Sequence, residues 1–282
     1  MITAFLSGLA YGMLLFVVTL GLTLSFGLMR VVNLAHGAFY LLGGYLTLAL
    51  IARAGLPFWF AVALGAAATA ALGALLGTAL LRRFPGDEMG QIVFTLGIGY
   101  VVGDMLSWAF GADPQSVPRP PGLEGTIALL GGRFPTYRLA LIGFGAALFA
   151  ALEVIFVRTW LGLAIRAAVD DPAMARSVGV RVTFLYTATF AAGAALAALA
   201  GGVGAPLLGL SPAGGFEILM LALVVVVAGG LGSIRGSFLC ALLVGLIQQF
   251  GSLYFPGLAL FLTFVPVALL LAVRPRGLFG HA

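Results

Sequence analysis

Long stretches without a single charge constrain this chain more than any motif does. Residues 3–29, 31–52, 54–81, 182–216 and 237–273 contain no Asp, Glu, Lys or Arg. A helix of about 20 apolar residues crosses a bilayer, so each run is long enough for at least one crossing. Charged residues make up 8% of the chain and hydrophobic ones 62%, against roughly a quarter charged in a soluble domain. So few charges cannot cover a water-soluble globule of this length. Soluble enzymes and soluble binding modules are excluded, and the fold class is all-α, a polytopic transmembrane helical bundle forming one domain over residues 1–282.

Turn signals and charges divide the runs into spans at 3–29, 31–52, 54–81, about 91–111, about 137–157, 182 onward, 216–231, and two parts of 237–273 split at Pro256-Gly257. The expectation is eight or nine spans, some of them broken or re-entrant. No basic residue precedes Thr3, so the first run reads as a retained span rather than a cleaved signal. The proline-rich segment of about 112–136 reads as an external loop, and the polar segment of about 158–181 as a cytoplasmic one. Cytoplasmic loops carry the Arg excess in membrane proteins. Alternation then puts Arg30, Arg82, Arg83, Arg158, Arg166, Arg176, Arg181, Arg235, Arg274 and Arg276 on one side, and Arg53, Arg119, Arg133 and Arg138 on the other. This predicts the N-terminus outside and the C-terminus inside. The basic balance therefore points to a lipid bilayer and not to nucleic acid.

All 14 basic residues are Arg. Without Lys there is no P-loop lysine and no Schiff-base amine, so the chain neither hydrolyses nucleotides in the usual way nor holds pyridoxal phosphate or retinal. One Cys (Cys240) and two His (His36, His281) provide neither a disulfide nor a histidine metal cage. The 41 Gly let helix backbones approach closely, as at 65–77 and 193–200. No cofactor is expected on this chain.

Three interruptions of the apolar pattern hold the candidate functional residues. In the first, Arg30, Asn33 and His36 recur at a spacing of three, with Gly37 and Tyr40 following. Polar groups at membrane depth are costly unless partnered or hydrated. The cluster reads either as a translocation or gating element with a helix break near Gly37, or as an interfacial turn in which Asn33 caps the next helix. The second is 158–181. There Asp171-Pro172 starts a short helix, Gly179 ends it, and Arg166, Asp170 and Ala175 lie alongside. This helix–turn–helix either docks a soluble partner or lies on the lipid interface. A lone Asp170-Asp171 pair is a poor Mg²⁺ site, which disfavours an intramembrane transferase. The third is Gly229-Gly-Leu-Gly-Ser-Ile-Arg-Gly236, where Gly230, Gly232 and Ser233 suggest a broken or re-entrant helix lining a cavity. Asp104, inside its span, is a further candidate for the path or for ion coupling in a self-contained carrier. Glu153 is expected to pair with Arg158, and Glu217 to lie on the outer face.

Met29-Arg-Val-Val-Asn-Leu-Ala-His-Gly-Ala-Phe-Tyr40, the 158–181 segment with Arg166-Ala167-Ala168, Ala175 and Gly179-Val180, and the 229–236 glycine motif occur in this order. Together they resemble the permease subunits of bacterial ABC importers for branched-chain amino acids, in particular the pair member with the Ala-His-Gly motif. Relatives commonly carry Glu after His-Gly, whereas here it is Ala38. The resemblance implies an inner-membrane importer subunit. It would work with a second related permease, two ATP-binding subunits that hold ATP and Mg²⁺, and an external substrate-binding protein. The 158–181 segment would be the coupling element to the ATPases. Urea and short-chain amide permeases share the architecture.

Overall fold

Residues 1–29, 33–84, 86–129, 132–275 and 277–279 are described by the computed structural model. Among them the chain forms α1 (Ile2–Met29), α2 (His36–Ala54), α3 (Phe58–Arg83), α4 (Glu88–Phe110), β1 (Thr126–Leu129), β2 (Gly132–Pro135), α5 (Thr136–Arg158), α6 (Trp160–Asp170), α7 (Pro172–Ser177), α8 (Val182–Leu208), α9 (Gly214–Gly229), α10 (Ile234–Tyr254) and α11 (Ala259–Val273). A 3₁₀ turn at Pro256–Leu258 separates the last two helices, where Pro256-Gly257 interrupts the charge-free run. Local chemistry sets several other boundaries. Gly55, at φ 63°, ends α2, and the Asp87 carboxylate accepts from the Gly90 N–H (3.0 Å) at the start of α4.

Among the described residues, seven helices are long and apolar enough to cross a membrane: α1, α2, α3, α4, α5, α8 and α10. The expectation of eight or nine spans included two that are shorter. α9 has 16 residues and α11 has 15, below the roughly 20 that a full crossing needs. The run from 182 closes at Leu208, where Gly209 takes φ 74°. The 112–136 segment is not all loop, because β1 and β2 pair antiparallel within it, Ile127 opposite Phe134. This hairpin is a small appendage to an otherwise all-α bundle.

The helices run alternately, so the bundle has two ends. At one lie the hairpin, Arg53, Arg119, Arg133 and Arg138. At the other lie α6, α7, Arg82, Arg83, Arg158, Arg166, Arg176, Arg181, Arg235 and Arg274. Arg30 and Arg276 fall outside the described residues. The ion pair expected between Glu153 and Arg158 is not formed. Arg235, from α10, donates its Nε–H to Glu153 Oε1 (2.8 Å). Arg158 lies five positions along α5, about 140° around the helix from Glu153, whereas Arg235 enters from the adjoining helix start.

α1 and α8 form the centre: 78% and 56% of their most apolar windows are buried, against 22% for α4 and 17% for α5. Small residues bring the axes together. Gly12 lies against Ala241 and Leu242 of α10, Gly21 against Gly193 of α8, Gly43 against Ala198, and Gly201 against the Tyr40 carbonyl. In an apolar solvent, such backbone contact replaces the hydrophobic drive that would hold helices together in water.

A side chain at Gly43 would overlap the Ala198 backbone, whereas one at Gly97 meets nothing within 4 Å. Gly43→Leu is expected to lower unfolding stability in detergent by at least about 2 kcal/mol. Gly97→Ala should stay within about 0.5 kcal/mol of the parent, and thermal unfolding of the purified variants measures both.

Candidate functional site

α2 does not start at the end of the bundle. The His36 Nε2–H donates to the Val18 carbonyl oxygen (2.6 Å), and the imidazole stands against Gly21. Val18 lies eleven positions before Met29, about 16 Å along α1. α2 therefore begins inside the bundle, at the level of Val18. Asn33 shapes this entry: its Oδ1 accepts from the Ala35 N–H (3.1 Å) and its carbonyl from the His36 N–H (3.3 Å). The Leu34 N–H donates to Thr95 Oγ1 on α4 (3.2 Å). α2 thus starts at His36, next to Gly37, where a break was expected. Arg30 lies outside the described residues.

α9 starts at the same depth, because Gly37 and Gly215 meet backbone to backbone. Glu217, expected on the outer face, therefore sits in the first turn of α9, within the length of α1. Between α2, α4 and the start of α9 lies a cavity of about 240 Å³. Gly37 and Ala38 border it from α2, Gly103, Asp104 and Ser107 from α4, and Leu219 from α9. Tyr100 and Phe216 pack ring to ring beside it, 5.2 Å between centroids. Ala38, where the resemblance leads one to expect Glu, is on this wall, and Asp104 is the carboxylate among the lining residues.

His36 and Tyr40 point the other way, into the joint with α1 and α8, and border neither this cavity nor the one described next. A carbonyl only accepts, so His36 Nε2 carries a proton. Its Nδ1 and the Tyr40 hydroxyl are buried without a hydrogen-bond partner. Each such group costs about 1–3 kcal/mol.

A second cavity, about 650 Å³, opens at the α6–α7 end. Gly232 and Ser233 line it together with Arg166 and Asp170, so the glycine break and the loop helices share one space. The break is well ordered. Gly230 and Gly232 take φ 104° and 80°, Gly232 packs on Gly27 of α1, and Ser233 Oγ accepts from the Gly236 N–H (3.1 Å) to cap α10. The last carbonyls of α9 are all occupied. Gly230 N–H serves Val226 and Val227, Leu278 N–H serves Ala228 (2.8 Å) and Phe279 N–H serves Gly229 (3.1 Å), so the chain's final turn closes the broken helix.

α6 and α7 pack on the start of α8, Ala168 and Ala175 meeting Val182 and Leu185 in one small apolar cluster. Asp171 Oδ1 accepts from the N–H groups of Ala173 and Met174, both at 2.9 Å, with Pro172 in the first turn. Gly179, at φ 90°, ends the unit: its N–H donates to Arg176 O and the Val180 N–H to Ala175 O, a Schellman closure. Arg166 Nη1 donates to the Phe156 carbonyl, holding α6 to the end of α5. Trp160, Leu163, Met174 and Val178 remain exposed.

The candidates therefore separate into three places: His36 and Tyr40 in the α1–α2–α8 joint with Asn33 at the turn into α2, Gly37 and Asp104 at the first cavity, and Gly232 and Ser233 with Arg166 and Asp170 at the second. Sequence reasoning missed Tyr100, Gly103, Ser107 and Phe216. The spacing of Gly99, Gly103 and Ser107, four apart and flanking Asp104, was the available signal for a small-residue face.

The family profile described as the branched-chain amino acid transport system permease component matches residues 4–273. The chain is similar to the high-affinity branched-chain amino acid transport system permease protein BraD of Pseudomonas aeruginosa, 27% identical over 98% of this chain and 94% of that protein. It is 25% identical to LivH of Salmonella typhimurium, over the same shares. LivM of Salmonella typhimurium is 30% identical over 82% of this chain and 60% of its own length.

Tyr40→Phe removes an unpaired hydroxyl and should raise stability by about 1 kcal/mol. The Tyr137 hydroxyl donates to Val203 O (2.6 Å), so Tyr137→Phe should lower stability by a similar amount. Unfolding of the two variants in detergent checks the opposite signs.

Proposed function

The chain belongs to the family of branched-chain amino acid transport system permease components, and from that premise we propose that it forms part of the membrane channel of an ABC importer driven by ATP hydrolysis on separate subunits. It is a transport component with no covalent chemistry of its own. The relatives include both LivH and LivM permeases, which supports pairing with a second, related permease. Two ATP-binding subunits and an external binding protein complete the assembly, and ATP and Mg²⁺ belong to the former. The Arg distribution favours the N-terminus outside and the α6–α7 end in the cytoplasm of the inner membrane.

The observation that carries this reading is the α6–α7 unit. A self-contained carrier has no need of a capped helical unit seated on the start of α8 with Met174 and Val178 exposed. In this reading Arg166, Asp170, Asp171, Pro172, Ala175 and Gly179 shape the surface that the ATPase engages. Movement of that unit reaches the path through the cavity it shares with Gly232 and Ser233, with Gly230 in the same break. Arg30, Asn33, His36, Gly37, Tyr40 and Asp104 serve the path and its gating. Alternation between outward-open and inward-open packings is then a population shift set by ATP binding.

Met174→Glu combined with Val178→Glu should reduce recovery of the ATPase subunits with the tagged permease at least tenfold, with the yield of the permease unchanged. Gly179→Val, which forces a branched side chain into the left-handed region, should weaken recovery as well. Full ATPase recovery with both variants would refute the docking surface.

A further inference from the structure

The cavity between α2, α4 and α9 has one ionisable wall. Asp104 is exposed in the single chain although it lies within a membrane-spanning helix, six residues before its end. A carboxylate there does not face acyl chains, because the cost is met only by water, a polar partner or a cation. None of the lining residues is basic, and the described salt bridge, Arg235 with Glu153, lies at the other cavity. The charge of Asp104 is therefore left for an occupant to balance.

We propose that this cavity holds the amino acid implied by the transport reading and that Asp104 receives its ammonium group. The inference rests on the transport reading above and names the recognition chemistry within it. Leu34, Leu41 and Leu219 supply apolar walls, and the Tyr100–Phe216 ring pair stands at the side. At about 240 Å³ the space is below the range of roughly 300–1,000 Å³ that suits drug-sized ligands and fits a molecule of amino-acid size. A metal ion is a poor occupant, since the described residues contain no group of three His, Cys, Asp or Glu that could hold one and a hard cation takes six or more oxygens. Urea and acetamide carry no positive charge and leave the carboxylate unbalanced.

The test uses the complete transporter, with its partner permease, ATPases and binding protein, in proteoliposomes. Wild-type import of labelled leucine is established first, so a wild-type failure counts against the transport reading itself. For Asp104→Asn, leucine imported per ATP hydrolysed should fall at least tenfold, and Asp104→Glu should recover at least a third of the parent ratio. Ala38→Phe fills the cavity from α2 without altering the carboxylate and should block import to a similar extent, which covers the case in which Asp104→Asn does not assemble. Wild-type leucine import by either Asp104→Asn or Ala38→Phe would overturn the site. Wild-type import of urea or acetamide at the rate of leucine would overturn the ammonium assignment.

Discussion

Backbone contact between helices is the interaction on which the rest of the bundle depends. α1 meets α8 at Gly21 and Gly193, α10 at Gly12, and the α9–α10 break at Gly27, while α2 meets α8 at Gly43 and Gly201. These contacts set the depth at which everything else sits. Because Gly21 leaves room for an imidazole, His36 reaches the Val18 carbonyl, and α2 begins inside the bundle. Because Gly37 and Gly215 touch, α9 begins beside it. Two helix starts at one depth, joined through glycines and walled by Leu41 and Leu219, leave the space that Asp104 borders.

The same packing links the two cavities. α9 runs from the first to the second, and its far end is held by the Gly232 contact with α1 and by the N–H groups of Leu278 and Phe279. α9, 16 residues long, is thus held at both ends, by Gly215 against Gly37 and by the turn after Gly229. The buried, unpartnered His36 Nδ1 and Tyr40 hydroxyl lie in the neighbouring joint of α1, α2 and α8.

Much of the bundle was legible because charge is so scarce. Arg53, the Arg82-Arg83 pair and Arg158 stand at helix ends, so reading the gaps between charges recovers most spans to within a few residues. The start of α2 was not legible in this way. The charge-free run continues through 31–35, and hydropathy does not register that α2 begins inside the bundle. The hairpin was hidden by the prolines around it, and the Glu153–Arg235 pair by a sequence separation of 82. Asp171, Pro172 and Gly179 were readable because capping chemistry is local. Asp104 stood out as an intramembrane charge, but that Gly37 and Ala38 would share its cavity depends on how α2, α4 and α9 assemble.

The absent P-loop lysine, the capped α6–α7 unit and the family match support the proposal of a chain that shapes a passage and draws its energy from partners. The most direct test is leucine uptake into proteoliposomes containing this chain with its partner permease, ATPases and binding protein, with ATP supplied or withheld and with the ion gradients collapsed. Uptake that requires ATP hydrolysis and survives loss of the gradients is the predicted result. Uptake that persists without the ATPases and vanishes when the gradients are collapsed would contradict it.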